Sequence, residues 1–201
     1  MKNKQKIIFP VAALVVLVVV LGMGFMSGWF SNPTTKTEFH EHTNFAVYLN
    51  GVQYNFNQSK YMINSSDRDS SIVHMHDLNG GTIHIEAPEI TMGFFLKTLG
   101  MSVNSTCFVL DNGTAYCNSG DKTLKMYVNG VKSNLFDKQP LRDLDKILIS
   151  FGNDSSQEIQ KRLSTIPSDA CIHSKKCPAP PGYVDTESLT CKTGEAAICS
   201  G

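Results

Sequence analysis

The sequence predicts an α+β domain with a mixed, mainly antiparallel sheet built from hairpins and one packed helix, after an N-terminal transmembrane helix. Three observations predict it: an uncharged apolar run at the start of the chain, two Asn-Gly dipeptides flanked by alternating polarity, and a short helical pattern between them. Of the 201 residues, 41% are hydrophobic, which suffices for a packed core. Basic and acidic residues both number 18, so no basic field favours nucleic-acid binding.

The first element is a predicted membrane anchor. Residues 7–30 carry no charge, and about 20 apolar residues can cross a bilayer as a helix. Three lysines precede this run, and positive residues stay on the cytoplasmic side. We therefore expect residues 1–30 to be a retained signal-anchor, residues 31–38 a linker, and the rest of the chain extracytoplasmic. A cleaved signal peptide is the alternative.

Residues 39–166 are the predicted folded domain, which opens with a hairpin. Polarity alternates on both sides of Asn50-Gly51, a pattern typical of a two-residue β-turn. The turn predicts three cross-strand pairs whose six side chains share the core face. These pairs are Phe45 with Phe56, Val47 with Tyr54, and Leu49 with Val52.

The same pattern returns later in the chain. Residues 124–131 match residues 45–52, including the Asn-Gly dipeptide, and predict a second hairpin. Between the copies, residues 91–100 have apolar side chains at helical spacing, with Thr91 as N-cap and Gly100 as the stop. Residues 146–151 predict a closing strand. This succession resembles β-grasp folds, a likeness of shape that carries no function.

All six cysteines lie in the predicted extracytoplasmic part, where disulfides persist. Cys107 and Cys117 face each other across a predicted three-residue loop, and we expect them to be bridged. The other four, Cys171, Cys177, Cys191 and Cys199, are expected to form disulfides in a small Cys-rich tail, residues 167–201, with three pairings open.

Two further patterns belong to the predicted exported part. Ser155 and Glu158 indicate a capping box that opens another helix. Glycosylation sequons agree with an exported glycoprotein. They occur at Asn57, Asn64, Asn104, Asn112 and Asn153.

Histidines provide the strongest functional pattern. Alternate residues of a strand point to the same face. The sequence has three pairs of histidine or glutamate side chains in which one residue separates the two members, and both residue types can bind metals. Because Val73, Met75, Ile83 and Ile85 are expected in the core, the residues between them must share the opposite face. Counted back from Phe45 on the core face, the same alternation puts the first pair, His40 and His42, on the opposite face as well. One polar outer surface is therefore predicted to gather His40, His42, His74, His76, His84 and Glu86.

Imidazole and carboxylate are ligands for borderline divalent ions, so we expect a metal ion, Zn or Cu, at this surface. Coordination needs neutral imidazole, and affinity should decline as the pH falls through about 6.5. A solvated strand face without metal is the alternative. We expect His173, isolated in the tail, to lie at the surface.

The layout resembles a known group of proteins. An H-x-H pair before a hairpin, then residues 74–77, residues 83–86 and a Cys tail from Ala170 resemble membrane-anchored, His-rich extracytoplasmic proteins of archaea and candidate-phylum bacteria. Some of those are called protein disulfide isomerases. No established activity follows from the resemblance, and this sequence departs from that name because it has no C-x-x-C motif.

The expected function is metal binding, with metal delivery or sensing at the cell surface, and no protein partner or catalytic residue is predicted. Two enzymatic alternatives stay open. In one, His74, His76 and His84 hold a metal while Glu86 or Asp77 acts as base. The other is a thiol-disulfide oxidoreductase or isomerase that uses Cys171 and Cys177. A purely structural or adhesive envelope role is a further possibility.

Overall fold

A computed structural model describes residues 39–63, 67 and 69–183. The expected membrane segment, the linker, Asn64, Cys191 and Cys199 lie outside the described residues. Within the described ranges, no helix has the length and apolar character needed to cross a bilayer.

The described part of the chain is α+β, with a mixed sheet, an antiparallel sheet and few helices. The predicted α+β class is therefore confirmed. Its strands are β1 (Glu41–Leu49), β2 (Val52–Gln53), β3 (Val73–His74), β4 (Thr82–Ile85), β5 (Ser102–Val103), β6 (Cys107–Val109), β7 (Ala115–Cys117), β8 (Thr123–Val128), β9 (Val131–Ser133) and β10 (Lys146–Gly152). Its α-helices are α1 (Met92–Thr98), α2 (Ser156–Leu163) and α3 (Ala170–His173). Short 3-10 turns occupy Ser59–Tyr61 and Phe136–Lys138.

Strands β1 and β10 lie at the centre of the mixed sheet. The order is β3-β4-β1-β10-β8-β9, and β2 also pairs with β1. Only β1 and β10 are parallel among the described pairs. Both strands are buried on both faces, which accounts for the apolar runs at residues 45–49 and 147–149. Strands β5, β6 and β7 form a second, antiparallel sheet.

Both Asn-Gly turns are confirmed. Asn50 and Gly51 have φ angles of 51° and 86°, and the second turn repeats this with 51° and 81° at Asn129 and Gly130. Positive φ at both central residues is what a type I′ hairpin turn requires. The core assignment of Val52 is wrong, because its side chain is 70% exposed. Strand β2 is only two residues long and its hairpin end extends past the core.

The predicted helix is confirmed as α1. Thr91 caps it by accepting a hydrogen bond from the backbone N–H of Phe94 at 3.3 Å, and Gly100 follows its end with φ of 71°. The ring of Phe95 packs edge-on against that of Phe45, with centroids 5.4 Å apart. This contact fixes α1 on the core face of β1.

Two further expectations about local structure are confirmed. Ser155 and Glu158 form a reciprocal capping box at the start of α2. Cys107 and Cys117 lie opposite each other on β6 and β7 and form a disulfide.

Strand β1 separates two differently packed layers. Phe45, Val47 and Leu49 enter the main core, whereas Ala46 and Tyr48 face the other way. On that second face, α2 and the residue Ile166 cover Ala46 and Tyr48. The remaining part of this face, nearer the start of β1, carries the histidines.

Candidate metal centre

All six histidines of the chain meet in one cluster on the second face of the sheet. His84 is at its centre, with its ring centroid 6.2 Å or less from the centroids of the other five. The nearest of these is His76, at 3.9 Å. The cluster therefore joins every histidine pair that the sequence singles out.

Strand register explains how the cluster forms. His42 on β1 pairs directly with His84 on β4, and His84 pairs with His74 on β3, so the three rings form a row across the sheet. The sequence neighbours of His74 and His84, namely Val73, Ile83 and Ile85, are buried in the main core. The expected parity of these core residues is confirmed.

His76 reaches the cluster in a different way from the one expected. Strand β3 ends at His74, earlier than the alternating pattern suggests. Asp77 and Leu78 follow with φ of 54° and 55°, a left-handed conformation that cannot continue a strand. Asp77 accepts a hydrogen bond from Nδ1 of His76 at 2.8 Å. The loop thus orients the His76 ring towards His84.

Three histidines have the geometry closest to a metal site. His40, His42 and His84 each offer one nitrogen, and these nitrogens all lie within 4.8 Å of one another. In a tetrahedral zinc site with bonds of about 2.0–2.1 Å, neighbouring ligand nitrogens lie about 3.4 Å apart. Binding would therefore require the three nitrogens to approach one another by up to about 1.4 Å.

A carboxylate orients the first ring of this trio. Nδ1 of His40 lies 3.0 Å from the Glu86 carboxylate. An ionised carboxylate accepts only, so Nδ1 carries the proton and Nε2 presents its lone pair. Glu86 thus orients His40 in this arrangement, whereas the sequence predicts Glu86 as a ligand itself.

A hydroxyl and a second carboxylate orient His42. The Ser174 hydroxyl donates to Asp143 at 2.5 Å and therefore accepts from Nδ1–H of His42, 2.7 Å away. Burial raises the pKa of Asp143, but Lys176, Ser174 and the backbone N–H of His42 outweigh burial and hold that pKa below its usual value. The ionised Asp143 leaves Nε2 of His42 as the atom for a metal.

Four of the six histidines are buried, although we expected an outer surface, and His40 is the exposed member of the cluster. His42 and His84 are 0% and 1% exposed, and His74 and His76 are also buried. Burial lowers the pKa of His74 to about 3, and the nearby His76, His40 and His42 add to this effect, while a backbone hydrogen bond with Ser70 opposes it. Metal binding needs this neutral form of imidazole.

His173 contradicts the expectation that it lies at the surface. Its side chain is 10% exposed and its ring centroid is 5.4 Å from those of both His42 and His84. Helix α3 places it there, within a loop closed by a disulfide between Cys171 and Cys177. The sequence signal was the position of the histidine between two closely spaced cysteines, which restrict where it can point.

Asp169 anchors α3 to the sheet. Its carboxylate accepts hydrogen bonds from Asn44, Thr82 and Asn79 at 2.6, 2.7 and 2.8 Å. Burial raises the pKa of Asp169, but His173 and these three donors outweigh burial and hold it far below its usual value. The start of the predicted tail is thus bound to the polar part of the second face.

Ser174, Asp143 and Asp169 are site residues that sequence reasoning missed. Each acts across more than 80 residues of chain, and no local pattern marks such contacts. A cavity of about 400 Å³ elsewhere, on a surface that includes Tyr54, Asn57 and Gly80, contains no histidine.

Comparison with known proteins gives no independent guide to the site: no family model matches the chain, and neither curated proteins nor solved structures show a significant similarity to it.

Proposed function

We propose that the chain is a membrane-anchored, extracytoplasmic metal-binding module that holds a divalent ion, Zn²⁺ or Cu²⁺, through His40, His42 and His84. The main support is that three imidazole nitrogens lie within 4.8 Å of one another, two of them on His42 and His84, which strand register pairs directly. Histidine is a preferred ligand of both ions. Under this proposal His74, His76 and Glu86 surround the ligands.

The energetic cost of the cluster supports the proposal. Removing polar rings from water without compensation is unfavourable, and within the described residues Nδ1 of His74 is buried without a hydrogen-bond partner. Protonation relieves little of this cost, because burial and the neighbouring imidazoles lower the pKa of His74. A divalent ion bound to neutral rings would supply a favourable interaction instead.

The broader setting of the site is also proposed. The uncharged run at residues 7–30 and the preceding lysines support a retained anchor, and the sequons support glycosylation of the exported part. The central parallel pair of β1 and β10, next to β2 and the β8–β9 hairpin, supports a β-grasp relationship. Delivery or sensing of metal at the cell surface, and kinship with the His-rich group described above, fit this setting.

One observation favours a metal-dependent enzyme as a second candidate. The His40 side chain is 34% exposed, so an ion bound to it lies near solvent and can hold a water in an open position. The ligands in this version are His40, His42 and His84. The two carboxylates that the sequence offered as catalytic bases are engaged in hydrogen bonds: Asp77 with His76, and Glu86 with His40.

Metal titration tests the proposed function. The full-length protein, purified in mild detergent and stripped with a chelator, is titrated with Zn²⁺ and with Cu²⁺ at pH 7.5 in competition with a chelating indicator. We expect one ion per chain with micromolar or tighter affinity. Less than one ion per chain with only millimolar affinity would contradict the proposal.

A further inference from the structure

The disulfide loop, residues 171–177, lies against the histidine cluster. It contributes the hydroxyl of Ser174 to His42 and places the ring of His173 beside those of His42 and His84. The loop also brings the Lys176 ammonium to Asp143, the carboxylate that holds Ser174. One loop therefore supplies both an orienting group and an additional imidazole to the site.

The loop has little secondary structure to hold this shape by itself. Helix α3 is only four residues long, and a single helical turn is not stable in isolation. Inside the loop, the Cys171 carbonyl accepts from the backbone N–H groups of Lys176 and Cys177 at 2.8 and 3.1 Å. The disulfide closes this ring covalently and limits the conformations open to His173 and Ser174.

A reductant can reach this disulfide more easily than it can reach the metal ligands. Cys171 and Cys177 are both partly exposed, whereas His42 and His84 are fully buried. Exposed disulfides are the ones that exchange most readily with thiols. A chemical change at the surface of the loop is thus linked to the buried rings beneath it.

We propose that the Cys171–Cys177 disulfide is a redox gate of the metal site: the oxidised loop retains the ion, and reduction by a dithiol releases it. The proposal rests on the proposed function and adds its regulation. A dithiol gives two electrons and two protons, its two S–H groups become one disulfide, and the Cys171–Cys177 bond becomes two thiols. His173 and Ser174 then lose the constraint that holds them on the site.

The matched experiment compares two disulfide variants. Zn²⁺ affinity is measured for the oxidised full-length protein, for C171S/C177S and for C107S/C117S, which removes the other described disulfide. Serine at positions 171 and 177 removes the thiols of this pair as possible ligands, so a change in C171S/C177S reports on loop closure. We expect affinity to fall about 10- to 100-fold in C171S/C177S, the range for groups that orient ligands, and to stay within about twofold in the control.

Failures of the two proposals are distinguishable. If the oxidised wild-type protein does not bind Zn²⁺, the metal-binding function is overturned and the gate with it. If wild type binds but C171S/C177S binds equally well, only the gate is overturned. Should C171S/C177S fail to fold, as judged by circular dichroism, the Zn²⁺-loaded C107S/C117S protein is treated with a phosphine reductant instead, and retention of the ion after the Cys171–Cys177 disulfide has opened overturns the gate.

Discussion

Nδ1 of His42 lies 2.7 Å from the hydroxyl of Ser174, although 132 positions separate the two residues in the chain. This contact joins the central strand of the sheet to the disulfide loop. Because Ser174 in turn donates to Asp143, a chain of three side chains sets which nitrogen of His42 faces the cluster. The behaviour of the site should therefore depend on residues that never contact a metal.

Removal of a proposed ligand should affect metal affinity far more than removal of a neighbouring histidine. We expect H42A and H84A to weaken Zn²⁺ binding beyond the 10- to 100-fold range of outer groups, because each deletes a direct bond. H74A, which leaves the trio intact, should cost less than about tenfold. Competition titration with a chelating indicator measures all three. Strong loss in H74A with little loss in H42A would assign the ligands to the other histidines.

The metal-free protein should lose stability as the pH falls below about 6.5. The pKa of His74 is about 3 in the folded protein and near 6.5 in the unfolded chain, so the unfolded chain binds this proton first. The resulting stability is fully present above pH 6.5 and is lost between pH 6.5 and 3, by up to about 1.4 kcal/mol per pH unit. Urea unfolding at pH 7.5, 6, 5 and 4 measures this slope.

The matching variant for that measurement is H74N, which removes the titrating ring. Its free energy of unfolding should fall less steeply over the same pH range. Equal slopes for wild type and H74N would show that His74 does not take up the proton on unfolding.

Replacement of Asp169 should loosen the contact between α3 and the sheet. D169N removes an ionised acceptor from Asn44, Thr82 and Asn79, and we expect a loss of about 1–3 kcal/mol in the free energy of unfolding. Because its pKa is lowered in the folded protein, the stability that Asp169 contributes is present above about pH 3.9 and is lost as the pH falls further. Chemical denaturation at pH 7 detects the mutational effect, with the exposed D137N as control. Similar losses in both variants would argue against a special role for Asp169.

The core face of β4 should respond to truncation differently from the exposed hairpin end. Ile83, next to His84 in the sequence, is fully buried in the main core, and I83A should cost about 2–5 kcal/mol. V52A, at an exposed site, should stay within about 0.5 kcal/mol of wild type. Thermal or urea unfolding of both variants checks this difference. A large loss in V52A would mean that the hairpin end packs against something outside the described residues.

Much of the fold follows from local rules. Asn-Gly turns, the Thr91 cap and the Ser155–Glu158 box act over a few residues, so the sequence predicts them directly. Parity also places the core residues around the histidines on one face without knowledge of the tertiary fold. Val52 shows the limit of this reasoning, because parity selects a face of the sheet but cannot show where the covering layer ends.

The cover of the site could not be predicted in the same way. His173 and Ser174 reach the cluster only because Asp169 binds residues more than 80 positions earlier in the chain, and no periodic pattern reports such docking. The same docking covers His42 and His84, which His173 and Ser174 contact. The sequence thus predicts which strand residues assemble, whereas the packing of the tail adds to the burial of these two rings.

The row formed by His42, His84 and His74 across β1, β4 and β3 makes the cluster sensitive to one kind of genetic change. A single-residue insertion within β4 would reverse the side-chain alternation beyond it, sending imidazole into the apolar layer and isoleucine towards the remaining histidines. Lengthening the surface turns that join these strands would leave the alternation intact. Descendants of this chain should therefore vary in loop length far more freely than in strand length wherever the cluster is kept.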